Sequence, residues 1–293
     1  MAIQIQSSST WVKALLTTGT VSGIAIDATD LTQKAVARHG FKEDKAIQSF
    51  GESVLGALLL ASHCKKGEHI NLNIRSSGVV FQAVIDAYPD GSVRGYVVPR
   101  ESSTPYSIGE NTGPWGDGLL SVLRTKDISQ ERPYIGTVPL VTGKLAKDLT
   151  FYWAQSEQVP TALGIVVNVH EGKVHGAHAF MVQALPGASD KDLKWIEDQV
   201  FHISNQLEPK QALAHLFQNA TFSFLETKNL SFKCHCTLGR VERALALVGE
   251  VELNSMIENQ NGAEVKCDFC SENYIVGKEK LQELIKNSRR HEP

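Results

Sequence analysis

Four cysteines crowded near the C-terminal end constrain this chain's fold more than anything else in it. Cys234 and Cys236 stand in Lys-Cys-His-Cys, and Cys267 and Cys270 in Cys-Asp-Phe-Cys. The pattern is Cys-x-Cys, thirty intervening residues, then Cys-x-x-Cys. A fold that closes the gap brings four thiolates together, a donor set suited to tetrahedral Zn²⁺. Each pair is also near enough in sequence to close as a local disulfide once a metal has left. Two stable chemical states for one constellation point to a redox switch, and a purely structural zinc ribbon is the competing reading. His235 can in principle replace one thiolate, although four cysteines already complete the tetrahedron. Rubredoxin-like iron more usually takes two Cys-x-x-Cys pairs and ranks below zinc.

Bulk properties narrow the class. A chain of 293 residues can hold two or three domains, or one large domain and a small satellite. A formal charge of −3 argues against a general polyanion binder. The opening residues have no basic and apolar signal pattern, and the longest apolar run, Val54 to Ala61, is less than half a membrane span. The expectation is a soluble cytoplasmic protein. Five cysteines in so long a chain are not a secreted disulfide scaffold. Clustered cysteines in a reducing compartment point to metal or redox work. Cys64, at the end of an apolar helix, reads as a small core hydrophobe without a function.

The fold class expected is α+β: an N-terminal mixed α/β domain (1–184), a helical linker (185–230) and a small C-terminal zinc-binding module (231–293). Helical spacing predicts helices over 29–39 and 44–63, the latter carrying Ile47, Phe50, Val54, Leu55, Leu58 and Leu59. The period then changes to two in Ile70-Asn71-Leu72-Asn73-Ile74. Segments 79–88 and 93–98 flank the turn signal Pro89-Asp90-Gly91 and predict a hairpin. Residues 101–118 read as a loop, 119–123 and 134–141 as strands, and 144–158 as a helix before Pro160. A second hairpin spans 164–184 around Glu171-Gly172-Lys173. Strand meanders with few helices favour an α+β layer over a doubly wound sheet.

After Leu185-Pro186-Gly187 the composition changes. An amphipathic helix over 189–206 aligns Leu193, Ile196, Val200 and Ile203, and Pro209 can open a second helix with Leu213, Leu216 and Phe217. So short a segment buries no core alone, so its apolar faces must rest on something else. In the cysteine module, helices are expected near 240–248 and 250–259. A tight turn follows at Asn261-Gly262, then strands 263–266 and 274–276 around a Cys267–Cys270 knuckle, and a terminal helix 279–290.

A module of this size is near the lower limit for folding on its core alone. Structural zinc binding is worth about 10–16 kcal/mol in small peptides, so metal loss should unfold it. Zinc keeps its thiols as thiolates that oxidants can attack. A sulfenic acid at Cys267 or Cys270 has its resolving partner within the same turn. A Cys234–Cys236 disulfide would close a small, strained and readily reduced ring.

With these residues in hand, the chain resembles the heat shock protein 33 family of redox-regulated holdases over essentially its full length. The resemblance rests on the two cysteine pairs, Tyr274 and the C-terminal helix. Upstream it rests on Gly95-Tyr96, Asp117-Gly118-Leu119-Leu120-Ser121-Val122, Asp148-Leu149-Thr150-Phe151-Tyr152 and Ser156-Glu157-Gln158-Val159-Pro160. It implies an ATP-independent chaperone and no enzyme. The resemblance further implies that the reduced protein holds one Zn²⁺ on Cys234, Cys236, Cys267 and Cys270 and is inactive. It implies that oxidation forms Cys234–Cys236 and Cys267–Cys270 disulfides, releases zinc and disorders a metastable linker. The protein then binds unfolding clients, commonly as a homodimer. The expected client-binding residues are Leu193, Ile196, Val200, Ile203, Leu213, Leu216 and Phe217, because flexible apolar surface suits partners without fixed shape.

Two alternatives remain from other classes. A constitutive nucleic-acid-binding zinc ribbon is disfavoured, since 231–293 holds nine Lys and Arg against ten Asp and Glu. A thiol oxidoreductase has the dithiol spacing of Cys-Asp-Phe-Cys but not a thioredoxin-like βαβ setting. Ten scattered histidines without a nucleophile motif make a hydrolase the weakest candidate. Neither nucleic acid nor membrane is an expected partner.

Overall fold

The structure is a computed structural model that describes residues 3–100, 113–126, 133–199, 208–218 and 220–289. Two compact units divide it: Ile5–Phe232, and Met1–Gln4 with Lys233–Pro293.

The chain opens with strands β1 (Ile3–Leu16) and β2 (Val21–Asp27), followed by helices α1 (Thr29–His39) and α2 (Asp44–Ala61). Strands β3 (Glu68–Ser76), β4 (Val80–Ala87), β5 (Ser92–Pro99), β6 (Gly118–Lys126) and β7 (Tyr134–Pro139) come next. Helix α3 (Leu145–Tyr152) continues into a π-helical turn, Trp153–Glu157. The hairpin β8 (Thr161–His170) and β9 (Lys173–Ala184) precedes α4 (Asp190–Gln199), α5 (Pro209–Leu216) and β10 (Phe222–Cys234). All ten strands form one sheet in the order β7-β6-β3-β4-β5-β10-β1-β2-β9-β8. Hairpin neighbours run antiparallel, whereas β10 meets β5 in parallel.

Helix α2 is the centre of the core. It is apolar on nearly all its faces, and such a helix must be enclosed. Ile47, Phe50, Val54, Leu55, Leu58 and Leu59 are fully buried, and the helix packs on β3, β4, β5, β8 and β9. Gly51 allows a close approach to β8, since a Cβ there would stand 2.9 Å from Val167 Cγ1. A second apolar layer forms where α5 meets β2. Ala212, Leu213, Leu216 and Phe217 join Val12, Ala14, Leu16, Val21, Ala25, Phe180 and Val182 in one buried cluster.

The motif Asp148-Leu149-Thr150-Phe151-Tyr152 turns out to fix a corner. Asp148 is fully buried. Its Oδ1 accepts from the N–H groups of Val141 and Thr142 at 3.0 and 2.8 Å and from Thr142 Oγ1 at 3.0 Å. Tyr152 donates its hydroxyl to Glu157 Oε1 at 3.0 Å across the π-helical turn. Gln158 then leaves the helix in the left-handed region at φ 55°.

Three expectations need correction. The N-terminal residues form β1 and β2, which the helix and strand signals did not mark. The helix expected over 144–158 is α-helical only to Tyr152. Residues 185–230, expected as a helical linker with helices over 189–206 and from Pro209, hold α4 and α5 and then most of β10. From Phe222 the sequence alternates, and the slot between β5 and β1 offers ladder partners on both sides, which an internal strand's backbone groups require. Side chains reinforce the fit. Ser7 Oγ donates to Leu230 O at 2.5 Å, Lys13 pairs with Glu226 at 3.0 Å, and Lys228 Nζ reaches Pro89 O at 2.8 Å. Among the described residues no helix is long and apolar enough to cross a membrane.

In the C-terminal unit, α6 (Leu238–Ala246) and α7 (Glu250–Gln260) lead into a hairpin of β11 (Gly262–Lys266) and β12 (Asn273–Gly277), and α8 (Lys278–Arg289) follows. Asn261, at φ 53°, caps α7 by donating its N–H to Ile257 O, so Asn261-Gly262 ends a helix and does not join two strands. The unit's core is small: Val241, Leu245, Leu253, Ala263, Val276, Leu281 and Ile285.

Candidate metal centre

The two cysteine pairs reach one place by different routes. Cys234 is the last residue of β10, and Cys236 lies just before α6. Thr237 caps that helix, its Oγ1 accepting from Arg240 N at 3.3 Å, which holds the chain extended as it leaves Cys236. Cys267 and Cys270 lie in the loop joining β11 to β12. There Cys267 N donates to Glu272 O at 2.9 Å, while Cys270 N and Ser271 N both donate to Cys267 O, at 3.3 and 2.7 Å. Ser271 takes φ 56° to complete this knuckle.

The four Sγ atoms all lie within 4.8 Å of one another. Cys234 Sγ is 3.8 Å from Cys267 Sγ, and Cys236 Sγ is 3.3 Å from Cys270 Sγ. A tetrahedron of sulfurs at the zinc–thiolate length of about 2.3 Å has edges of about 3.8 Å, so the cluster is close to that size. Cys234, Cys236 and Cys270 are buried and Cys267 is half-buried. Tyr274, on β12, donates its hydroxyl to Cys236 Sγ at 3.1 Å.

Without a cation, thiols this close compete for charge. The hydrogen bond from Cys267 holds Cys234 well below the ordinary thiol range, and the same bond, with burial, pushes Cys267 up. Burial likewise pushes Cys270 up to about 12. Burial, followed by the bond to Cys236, raises the Tyr274 phenol above its usual range and keeps it a donor. The bare cluster therefore favours charge on Cys234 over Cys267 and Cys270, and a bound cation is what would let all of them ionise together. The donor set fits a soft or borderline divalent metal.

Of the residues singled out in the sequence, the structure brings these four cysteines together. The metal-capable group holds no histidine among the described residues, so His235 stays outside it. Cys64 is separate and half-buried, its thiol pushed up to about 11, chiefly by burial. Leu213, Leu216 and Phe217 are core residues beneath α5. Leu193 and Ile196 belong to α4, but their side chains, like Val200 and Ile203 altogether, lie outside the described residues. Tyr274 entered the sequence reading only through resemblance, since its contact depends on the register of β12. Trp195 was not anticipated: it stacks on Phe217 with ring centroids 5.7 Å apart.

Fold and site together define a protein with a large mixed sheet unit and a small, thiol-rich unit able to hold a metal ion. The sequence model described as Hsp33 protein matches residues 9–277. A relative from Shouchella clausii named 33 kDa chaperonin is 32% identical over 289 residues, covering 94% of this chain and 97% of that protein. A 33 kDa chaperonin from Synechococcus elongatus is 36% identical over 292 residues, covering 94% and 96%. The crystal structure of the 33 kDa chaperonin (heat shock protein 33 homolog) from Thermotoga maritima superposes with a TM-score of 0.85 at 27% identity, covering 96% of this chain and 99% of that one. The chain belongs to the Hsp33 family. This is a family of chaperones, not enzymes, and its partners are unfolded proteins.

Proposed function

We propose that this chain is an ATP-independent holdase switched on by oxidation. In the reduced protein Cys234, Cys236, Cys267 and Cys270 hold one Zn²⁺ and the chaperone is silent. A peroxide oxidises each close pair to a disulfide, Cys234–Cys236 and Cys267–Cys270. Forming each disulfide takes two electrons from its pair of thiolates, which together with two protons from solvent reduce one peroxide to two waters. The metal ligands are consumed, zinc leaves, and the module loses what holds its small core together.

The observation that carries this reading is the crowding of four largely buried thiols in a unit whose apolar core, among the described residues, numbers seven buried residues. Such a unit depends on its metal, and its metal depends on the redox state of its ligands.

In this proposal residues 1–184 form the chaperone domain, 185–230 a metastable linker and 231–293 the switch. Among the described residues, α5 is the part of the linker's helical segment with fully buried anchors. Leu213, Leu216 and Phe217 insert between α5 and the sheet face of Val12, Ala14, Leu16, Val21 and Ala25. A Cβ on Gly23 would lie 2.7 Å from Phe217 Cζ, so the helix rests directly on strand backbone. Release of α5 would bare both its own apolar stripe and that sheet face, offering clients adaptable surface without fixed shape. Leu193, Ile196, Val200 and Ile203 belong to the same proposed surface. The oxidised state is proposed to act as a homodimer in the cytoplasm.

The test compares the reduced, zinc-loaded chain with the peroxide-treated chain in suppressing aggregation of a chemically unfolded client at mild heat. Activity only after oxidation is the expected result. Equal activity in both states, or none in either, would return the four cysteines to a structural staple.

A further inference from the structure

The register of the β11–β12 hairpin pairs Val265 with Tyr274 and sets the Tyr274 ring against the module's core, where it is partly buried. Packing thus fixes the ring, and its hydroxyl falls 3.1 Å from Cys236 Sγ, a donor–acceptor distance short enough for a strong hydrogen bond to sulfur. Cys236 comes from the first cysteine pair and Tyr274 follows the second, so the contact exists only when the module is folded around all four thiols. We propose that Tyr274 is a positioning residue of the metal centre, whose hydroxyl restrains the Cys236 thiolate and so sets how readily it gives up metal and meets an oxidant. This rests on the zinc-switch reading above.

The reasoning is that of a hydrogen bond to an anion. A donor to a thiolate draws electron density from sulfur, stabilises the charged form and orients its lone pairs. Outer partners of metal ligands typically contribute about 10–100-fold in affinity. The same withdrawal lowers nucleophilicity. In the oxidation step, sulfur attacks one peroxide oxygen and the O–O bond breaks. The departing hydroxide takes a proton to become water, leaving a sulfenic acid on Cys236. The thiolate of Cys234 then attacks that sulfur, forming the disulfide and expelling hydroxide. A Cys236 sulfur without its donor should start this sequence sooner.

The experiment uses the full-length chain, wild type and Tyr274→Phe, which keeps the packed ring and removes only the hydroxyl. Zinc affinity is measured by competition with a chromophoric chelator, and zinc release is timed at fixed peroxide. The sulfur-to-cobalt charge-transfer band is recorded on the Co²⁺-substituted protein. The expected result for the variant is an affinity about 10–100-fold weaker, faster release and a shifted band. A third protein carries 3-fluorotyrosine at 274, a stronger donor of nearly the same shape, and should change release in the opposite direction. A role in packing alone would leave the band in place and give no such reversal. Affinity and release within about twofold of wild type, or both substitutions moving release the same way, would overturn the proposal. If the wild-type chain took up no metal, the zinc reading would fall and Tyr274's role with it. Metal uptake with no hydroxyl effect would sink only the role of Tyr274.

Discussion

Phe217→Ala offers the sharpest test of how α5 is held. Phe217 is fully buried, with Leu213 and Leu216 beside it, Trp195 stacked on it and Phe222 tilted against it with centroids 5.3 Å apart. Its ring fills the space over Gly23, where a side chain would clash. Truncation of so buried a ring costs about 3–5 kcal/mol through lost burial and the cavity left behind. At about 1.4 kcal/mol per decade, that raises the population of any state in which α5 is undocked by roughly two to three and a half orders of magnitude. The loss is local to α5 and its platform, because Phe217 takes no part in the α2 core. The assay is hydrogen exchange of the 210–217 amides in the reduced, zinc-loaded protein, run beside client aggregation. The expected outcome is a matching fall in protection of α5, little change in α2, and chaperone activity without oxidant. Unchanged protection of α5 would refute the packing argument. Open α5 amides together with strictly oxidant-dependent activity would refute linker release as the activating step.

Two further tests address the module and the sheet unit. Chelation of the metal from the reduced chain should expose residues 234–289 to proteolysis while the proposed chaperone domain, residues 5–184, stays resistant, since the module's core is small. A module that survives chelation intact would show that its core suffices. Glu52 provides a pH test. Its carboxylate accepts from Trp115 Nε1 at 2.9 Å and Gln48 Nε2 at 3.1 Å, yet burial raises its pKa above the ordinary range. The folded state therefore binds this proton more tightly than the unfolded state. The resulting stabilisation is complete below the unfolded pKa and is lost as pH rises through the folded one. Glu52→Gln should accordingly gain in Tm relative to wild type as pH rises above the ordinary carboxylate range. A difference in Tm that does not change with pH would contradict the assignment.

The elements legible in the sequence were those with a strong period or a strong punctuation mark. Helix α1 ends at Gly40, at φ 73°, and α2 carries a run too apolar for any place but the core. The β4–β5 hairpin announces itself through Pro89-Asp90-Gly91. Strand β1 was hidden because its first half, Gln4-Ile5-Gln6-Ser7-Ser8-Ser9-Thr10, is mostly polar. Much of β10 is exposed or half-buried, so its alternation is carried by Glu226 and Lys228 as much as by Leu230 and Phe232. In both, the strand state is stabilised by ladders to distant neighbours more than by local preference.

The local chemistry of this protein was written in its residues alone: four thiols in two close pairs, a helix that must be enclosed, and a short segment with apolar faces needing a platform. Those properties depend on residue type and spacing, which need no neighbours to define them. The tertiary structure decided the rest. It inserted β10 between β5 and β1, bringing residues more than two hundred positions apart into contact. It seated α5 over Gly23, and it brought the Tyr274 hydroxyl to Cys236. Each is a contact between segments far apart in the chain. Its existence depends on the loop closures and packing of the whole fold, which no local pattern encodes.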